Sequence, residues 1–259
     1  MKKAIFITVR SGSTRLPNKA TKEILNSPTI EHLIKRVKRS KLADIVVLCT
    51  SVNNEDKKLC EIANRNGILC FQGSLKDKLV RWRDAAIHYN VEYFVNVDGD
   101  DLFCEPELID LAFMQYEKEK HDFVKVDETE IVVGAFTLGA TRKAIEKVCE
   151  IKDTDDTEAA WLYFSDLDIF KTNKLQNVPE IYNRPDIRAT LDYEEDFVFF
   201  RNIIEHFSFL EKDNFCLRDV VEYVNDNPSV LLINSECQQK YLNNQKKLTK
   251  LILKEDISE

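Results

Sequence analysis

The chain has 259 residues, 44% hydrophobic and 32% charged, with a formal net charge of −8. That is the length and composition of a globular α/β-sized domain with a full core, and its longest apolar runs are far too short to cross a bilayer, so no membrane insertion is expected. The charge is uneven: residues 1–42 hold eleven Lys and Arg against Glu23 and Glu31, a net of +9, which leaves −17 on the remainder. So acidic a remainder repels a long phosphate backbone, which weighs against a nucleic-acid polymer and favours a small anion in one basic corner.

Residues 4–9, Ala-Ile-Phe-Ile-Thr-Val, read as a first strand. With Met1-Lys2-Lys3 before it, this apolar run is too short for a secretory leader, and a cytoplasmic location is expected. After a polar loop, Ser27-Pro28 opens a helix whose Ile30, Leu33, Ile34 and Val37 recur at helical spacing. Lys35, Arg36, Lys38, Arg39 and Lys41 read as its solvated face. Residues 45–50 form a continuous apolar run, as in a strand buried on both sides. Residues 54–66 read as a helix closed by Gly67, 68–71 as a strand, 77–89 as a helix and 93–97 as a strand, followed by an acidic turn and a helix from Pro106. Strands alternating with helices of this length imply right-handed crossovers and a mostly parallel, doubly wound sheet.

The second half is less regular. Residues 123–126 and 131–136 are expected to pair antiparallel across 127–130, with a helix at 141–150 and an exposed acidic loop at 153–158. Helices follow at 196–207 and 217–225, the latter stopped by Pro228. A helical tail that frays is expected from Asn234. The organisation is thus one domain over residues 1–235, with a small mixed α+β extension, and 236–259 as its helical tail. Seven cysteines without C-x-x-C spacing read as reduced core thiols, with no zinc site.

Three segments carry chemistry. Arg10-Ser11-Gly12-Ser13-Thr14-Arg15-Leu16-Pro17-Asn18-Lys19 follows the first strand and offers cations, hydroxyls and backbone N–H donors, the groups that hold a polyphosphate. It is neither the dinucleotide glycine pattern nor the P-loop. Asn96-Val97-Asp98-Gly99-Asp100-Asp101 ends another strand. Its carboxylates repel one another unless a cation intervenes, and a hard oxygen-rich turn suits Mg²⁺, although Asp and Gly are also ordinary turn residues. Arg188-Ala189-Thr190-Leu191-Asp192 is a short strand entering a helix. Asp192 there is either a helix N-cap completed by Glu195 or a second metal carboxylate, while Asp196 stabilises the helix N-terminus.

The loop resembles that of nucleotidyltransferases which activate sugars and sugar acids. The match is to the cytidylyltransferase branch: 3-deoxy-manno-octulosonate and acylneuraminate cytidylyltransferases and spore-coat polysaccharide F-type proteins. The likeness extends through Gln72-Gly73-Ser74 and Arg81, the Val-Asp-Gly-Asp turn, Arg188 to Asp196, and Asn227-Pro228 with Ile233-Asn234. It implies a sheet of nucleotide-diphospho-sugar transferase type and Mg²⁺-dependent transfer of CMP from CTP to a small anionic acceptor, with release of pyrophosphate. Arg15, Lys19, Asp100 and Asp192 are then catalytic, and Asp100 and Asp192 hold the metal. Arg10, Ser11, Gly12, Ser13, Thr14, Arg15, Lys19, Ser74 and Asp98 face the nucleotide, and Arg81, Arg184 and Arg188 face the acceptor. A homodimer and a role in surface-glycan biosynthesis are further implications.

The sequence departs from the F-type pattern at residues 155–159, Asp-Asp-Thr-Glu-Ala in place of an Arg-Glu-His-Val-Thr-like segment, and at 130–134. Both regions are expected to face the acceptor. A phosphorylated or phosphonate acceptor giving a CDP-type product, a nucleotide-sugar glycosyltransferase, and a non-catalytic nucleotide binder are the competing readings.

Overall fold

Alternate residues of the first strand, β1 (Lys3–Thr8), enter two different hydrophobic cores. Ile5 and Ile7 pack with Leu33, Ile34, Ile109 and Phe113 on one face, and Ala4 and Phe6 pack with Trp82, Ala85, Ile145 and Phe164 on the other. A strand that is apolar at every position is therefore covered by helices on both sides, as a parallel sheet requires. The computed structural model describes residues 1–127, 129–155, 157, 160–248 and 252–254.

A short hairpin, β2 (Glu23–Ile24) with β3 (Ser27–Pro28), precedes helix α1 (Thr29–Val37). Then come β4 (Ile45–Ser51), α2 (Lys57–Arg65), β5 (Leu69–Gly73), α3 (Lys78–His88), β6 (Tyr93–Asp98) and α4 (Pro106–Glu119). The second half holds β7 (Phe123–Lys125), β8 (Leu138–Thr141), α5 (Arg142–Ile151), the short α6 (Leu162–Ser165), β9 (Thr172–Lys174), α7 (Glu194–Phe209), α8 (Leu217–Asp226) and α9 (Cys237–Leu248). The main sheet has seven strands in the order β5-β4-β1-β6-β8-β7-β9, and only β8 runs against the rest. The chain leaves β1 toward β4 on one side and returns to β6 on the other. That reversal opens a crevice at the carboxyl ends of β1 and β6, where ligands of open α/β sheets bind.

Several expectations need correction. The run 131–136 does not pair with β7, whose antiparallel partner is β8. Its apolar side chains are buried, but its backbone is claimed elsewhere: Val132 N–H donates to the Tyr182 carbonyl (2.9 Å) and Val133 N–H to that of Ile187 (3.0 Å). Arg188 lies in no strand; it makes a single parallel bridge with Val133. Arg36 is not on a solvated face, being only 5% exposed. It sits between the rings of Phe103 (5.1 Å) and Phe215 (4.6 Å), with Glu105 at 3.7 Å. Cys60 and Cys70 are not free thiols but form a disulfide, because the packing of α2 on β5 brings their Cα atoms to 5.4 Å. Cys49, Cys104 and Cys237 are buried thiols.

The acidic segment at 153–158 is not wholly exposed either. Thr157 is buried: its Oγ1 accepts from Lys78 N–H (2.7 Å) and donates to Asp77 (3.3 Å), the residue that caps α3. Lys152, also buried, pairs with the same Asp77. Asp156, Glu158 and Ala159 lie outside the described residues. No helix among the described residues is long and apolar enough to cross a membrane.

Candidate active site

The phosphate-type loop leaves β1 at the crevice. Val9 N–H still donates to the Cys49 carbonyl (3.2 Å), and then the chain turns away from the sheet. Ser11 moors it to the start of α2, donating its N–H to Asp56 (2.7 Å) and its hydroxyl to the Glu55 carbonyl (3.1 Å). Leu16 is buried and its carbonyl receives Lys19 N–H (3.2 Å), which closes the far end. Between these moorings Gly12, Ser13, Thr14 and Arg15 face a cavity of about 380 Å³.

The acidic turn enters the same cavity from β6. Gly99 N–H donates to the Thr8 carbonyl (2.8 Å), and a β-carbon at Gly99 would stand 2.6 Å from that of Val9, so the two strand ends approach only because residue 99 is glycine. Thr137 donates to Asp101 (3.1 Å), and the Asp100 carbonyl accepts Leu191 N–H (2.9 Å), which lays the 188–192 segment against the turn. Gly134 serves the same contact at φ +85°, with the Ala189 carbonyl packed against its Cα. Asp196 is buried at the start of α7 and accepts from the backbone N–H of Asp192 (2.9 Å) and Tyr193 (3.0 Å). The expected N-cap pair of Asp192 and Glu195 is thus replaced by Asp196 acting on Tyr193 and Asp192, which leaves the Asp192 carboxylate to face the cavity.

Cations of the loop and carboxylates of the turn meet directly. Lys19 Nζ pairs with Asp100 and lies 3.1 Å from Asp192 Oδ1. Arg15 reaches the same Oδ1 at 2.5 Å, while Arg188 takes Oδ2 at 2.9 Å. Burial works against the Asp192 charge, but Lys19, Arg15 and Arg188 outweigh it and hold the carboxyl down to about 2. Burial also opposes the Lys19 charge, and Asp100 and Asp192 nonetheless raise its pKa. Asp100 is pushed the other way: burial, with Asp192 and Asp98 nearby, raises it against the pull of Lys19. Asp98 pairs with Lys78 (2.8 Å), whose ammonium also lies over the Trp82 ring.

The cavity therefore draws together Arg10, Gly12, Ser13, Thr14, Arg15, Lys19, Arg81, Asp98, Asp100 and Asp192 from the sequence-derived set. Ser11 and Ser74 are not among its lining residues. Ser74 instead accepts from Asp77 N–H (3.1 Å) at the start of α3. Arg81 is buried and donates to the Ser74 (2.9 Å) and Leu75 (3.2 Å) carbonyls, so it shapes the β5–α3 turn. Arg184 does not reach the cavity, since it pairs with Asp186 and Asn225 on the surface. Arg188 lies behind the wall, 3% exposed and committed to Asp192, Asp196 and Gln238. Neither of the two lines the cavity.

Sequence reasoning missed Lys76, Lys78, Thr137, Trp161, Tyr241 and Gln245 in the lining, and named Asp101 and Thr190 only as members of the two charged segments. Tyr241 and Gln245 could have been found: in a tail otherwise read as fraying, they recur with Cys237 at i, i+4 on one helix stripe. Among the described residues no three or more His, Cys, Asp or Glu side chains converge as a metal cage. The lining as a whole carries six cationic side chains (Arg10, Arg15, Lys19, Lys76, Lys78, Arg81) against four aspartates.

Compared with known proteins, residues 4–249 match the profile of the cytidylyltransferase family. An uncharacterized protein of Methanocaldococcus jannaschii is 31% identical over 237 residues, 91% of this chain and 95% of that protein. The spore coat polysaccharide biosynthesis protein SpsF of Bacillus subtilis is 23% identical over 86% of this chain and 94% of its own length. Among solved structures, a cytidylyltransferase from Leptospira borgpetersenii superposes with a TM-score of 0.79 at 27% identity, covering 89% of this chain and 97% of that one.

Proposed function

The chain belongs to the cytidylyltransferase family of nucleotidyltransferases, and from that premise we propose that it transfers CMP from CTP to a small anionic acceptor of the sugar-acid class, releasing pyrophosphate, in surface-glycan biosynthesis. The observation that supports this reading most is the direct meeting of the basic loop and the acidic turn across one cavity, with Lys19 between Asp100 and Asp192. The excess of cations in the lining suits two anionic reactants.

The chemistry asks the protein for position and charge. An acceptor hydroxyl oxygen bonds to the α-phosphorus of CTP, the bond from that phosphorus to the bridging oxygen breaks opposite it, and pyrophosphate and the hydroxyl proton leave. Arg15 and Lys19 would exchange their carboxylate partners for phosphate oxygens and so offset charge on the leaving group. Loop N–H groups and the hydroxyls of Ser13 and Thr14 would hold the phosphates in line.

The donor set fits Mg²⁺, which takes one or two carboxylates and completes its shell with phosphate and water. Asp100 is half-buried beside Asp98 and Asp192 and pairs with Lys19, so a further cation would relieve the crowding of carboxylates there. Asp192 offers an oxygen once Arg15 and Lys19 move to the phosphates. Bound there, the ion would polarise the α-phosphate and neutralise charge building on it.

A thermal-shift panel of CTP, UTP, ATP, GTP, CMP and UDP-glucose, each with and without Mg²⁺, tests the reading. A ligand at about 100 times its Kd stabilises the native state by roughly 2.7 kcal/mol, which a melt resolves. Stabilisation by CTP with Mg²⁺ above the other nucleotides is expected. Stabilisation by the nucleotide sugar alone would instead support glycosyl transfer, and none with any nucleotide would defeat the proposal.

A further inference from the structure

Helix α9 is the segment that the sequence presents as a polar tail, yet it forms one side of the cavity. Tyr241 and Gln245, one turn apart, both line it, and Gln245 Nε2 donates to the Tyr241 hydroxyl (2.6 Å). The Tyr241 ring lies 5.6 Å from the Arg15 guanidinium carbon and 5.2 Å from that of Arg188. Arg15 also lies 6.0 Å from the Tyr193 ring, whose hydroxyl accepts from Asn244 on the same helix (3.3 Å). The phosphate-loop arginine is thus flanked by two aromatic rings, one on α9 and one fixed by it.

The helix is docked by its own contacts. Cys237 is buried, Gln238 accepts from Arg188, and Lys240 pairs with Glu195 (3.2 Å). Just before it, the buried Asn234 donates to Asp196 (2.9 Å) and to the Arg188 carbonyl (3.0 Å). Beyond it, Leu253 bridges Lys152, and Asp153 N–H donates to the Ile252 carbonyl (3.0 Å). Helix α9 is therefore fastened to the Asp192–Arg188–Asp196 network, and residues 252–253 pair with Lys152 and Asp153.

We propose that α9 is a built wall of the active site and that Tyr241 is a positioning residue for Arg15. Its ring face holds the guanidinium where the outer phosphates of a nucleoside triphosphate arrive, and Gln245 fixes the ring. An arginine freed from Asp192 by an incoming phosphate keeps its aromatic contact, so the side chain stays at the cavity while its anion changes.

The inference rests on the CTP reading, and calorimetric titration of the full chain with CTP and with CMP, in Mg²⁺, separates the two. Tyr241→Ala should weaken CTP three- to tenfold, roughly the range of one cation–π contact at a partly exposed site. CMP, which lacks the outer phosphates, should change by less than about twofold. Tyr241→Phe keeps the ring but loses the hydrogen bond from Gln245, so it and Gln245→Ala should each weaken CTP in the same direction and by less than Tyr241→Ala. Unchanged CTP binding in Tyr241→Ala would overturn the inference, as would equal losses for CTP and CMP, or a Phe variant as weak as the Ala variant. A wild-type chain that binds no CTP overturns the functional reading as well, whereas normal wild-type binding with an indifferent Tyr241 overturns only the role given to α9.

Discussion

Replacing Asp192 with Asn removes one charge from the point where three cations converge. Asp192 is 2% exposed, and Arg15, Lys19 and Arg188 all donate to it. Holding its carboxyl down to about 2 from the ordinary 3.8 corresponds to about 2 kcal/mol of native-state stability at neutral pH. The variant also leaves Arg188 and Lys19 with less compensation in a buried setting, so the total loss should be about 2–4 kcal/mol. For a chain of this size that lowers Tm by on the order of 10 °C.

The pH dependence identifies the cause. A carboxyl whose folded pKa is depressed contributes stability that is present in full above its unfolded pKa and is lost as pH falls through the folded one. The Asp192 contribution should therefore be complete at about pH 7 and roughly halved at about pH 3. Urea unfolding of the wild type and Asp192→Asn at both pH values should show the gap between them narrowing by about 1 kcal/mol on acidification. A gap that stays constant, or two proteins of equal stability at neutral pH, would refute the electrostatic account of this residue.

Asp100→Asn should behave in the opposite way toward stability. Burial and the neighbouring Asp192 and Asp98 raise the Asp100 pKa, so losing its charge should change unfolding free energy by less than about 1 kcal/mol while pyrophosphate release falls at least about a hundredfold; paired urea curves and a pyrophosphate assay check both halves. Gly134→Ala forces a β-carbon into the Ala189 carbonyl at φ +85° and should cost about 2 kcal/mol or more, read as a lowered Tm. Trp82→Phe removes the indole N–H donated to Thr8 Oγ1 (2.7 Å) in a fully buried position and should cost about 1–3 kcal/mol by urea unfolding.

The parallel half of the fold was legible because each strand there is a continuous apolar run and each helix shows its stripe. Residues 131–136 misled for the same reason: the run is as apolar as a strand, but Gly134 at positive φ and the bridge from Val133 to Arg188 divert it. The loop after β1 and the turn after β6 stood out because dense charge directly after an apolar strand has no packing explanation. The partnerships across the cavity were less visible, since Arg15 and Asp192 are separated by 177 residues and meet where the 188–192 segment lies against the turn after β6. Arg184 and Arg188 were equally hard to place, since neither lines the cavity. Nothing local distinguishes a guanidinium in a cavity from one buried behind it on Asp192 and Asp196. Tyr241 and Gln245 were hidden by composition, because a polar helix that lines a cavity has the same residues as one that covers nothing.

The most direct test of the central claim is to incubate the chain with CTP, Mg²⁺ and each of a panel of sugar acids, including 3-deoxy-manno-octulosonate and N-acylneuraminate, and to follow pyrophosphate and products by mass spectrometry. One acceptor should yield a product carrying a single cytidine monophosphate, with pyrophosphate in equal amount. Pyrophosphate absent with every acceptor, or a sugar moved from a nucleotide sugar under the same conditions, would contradict the claim.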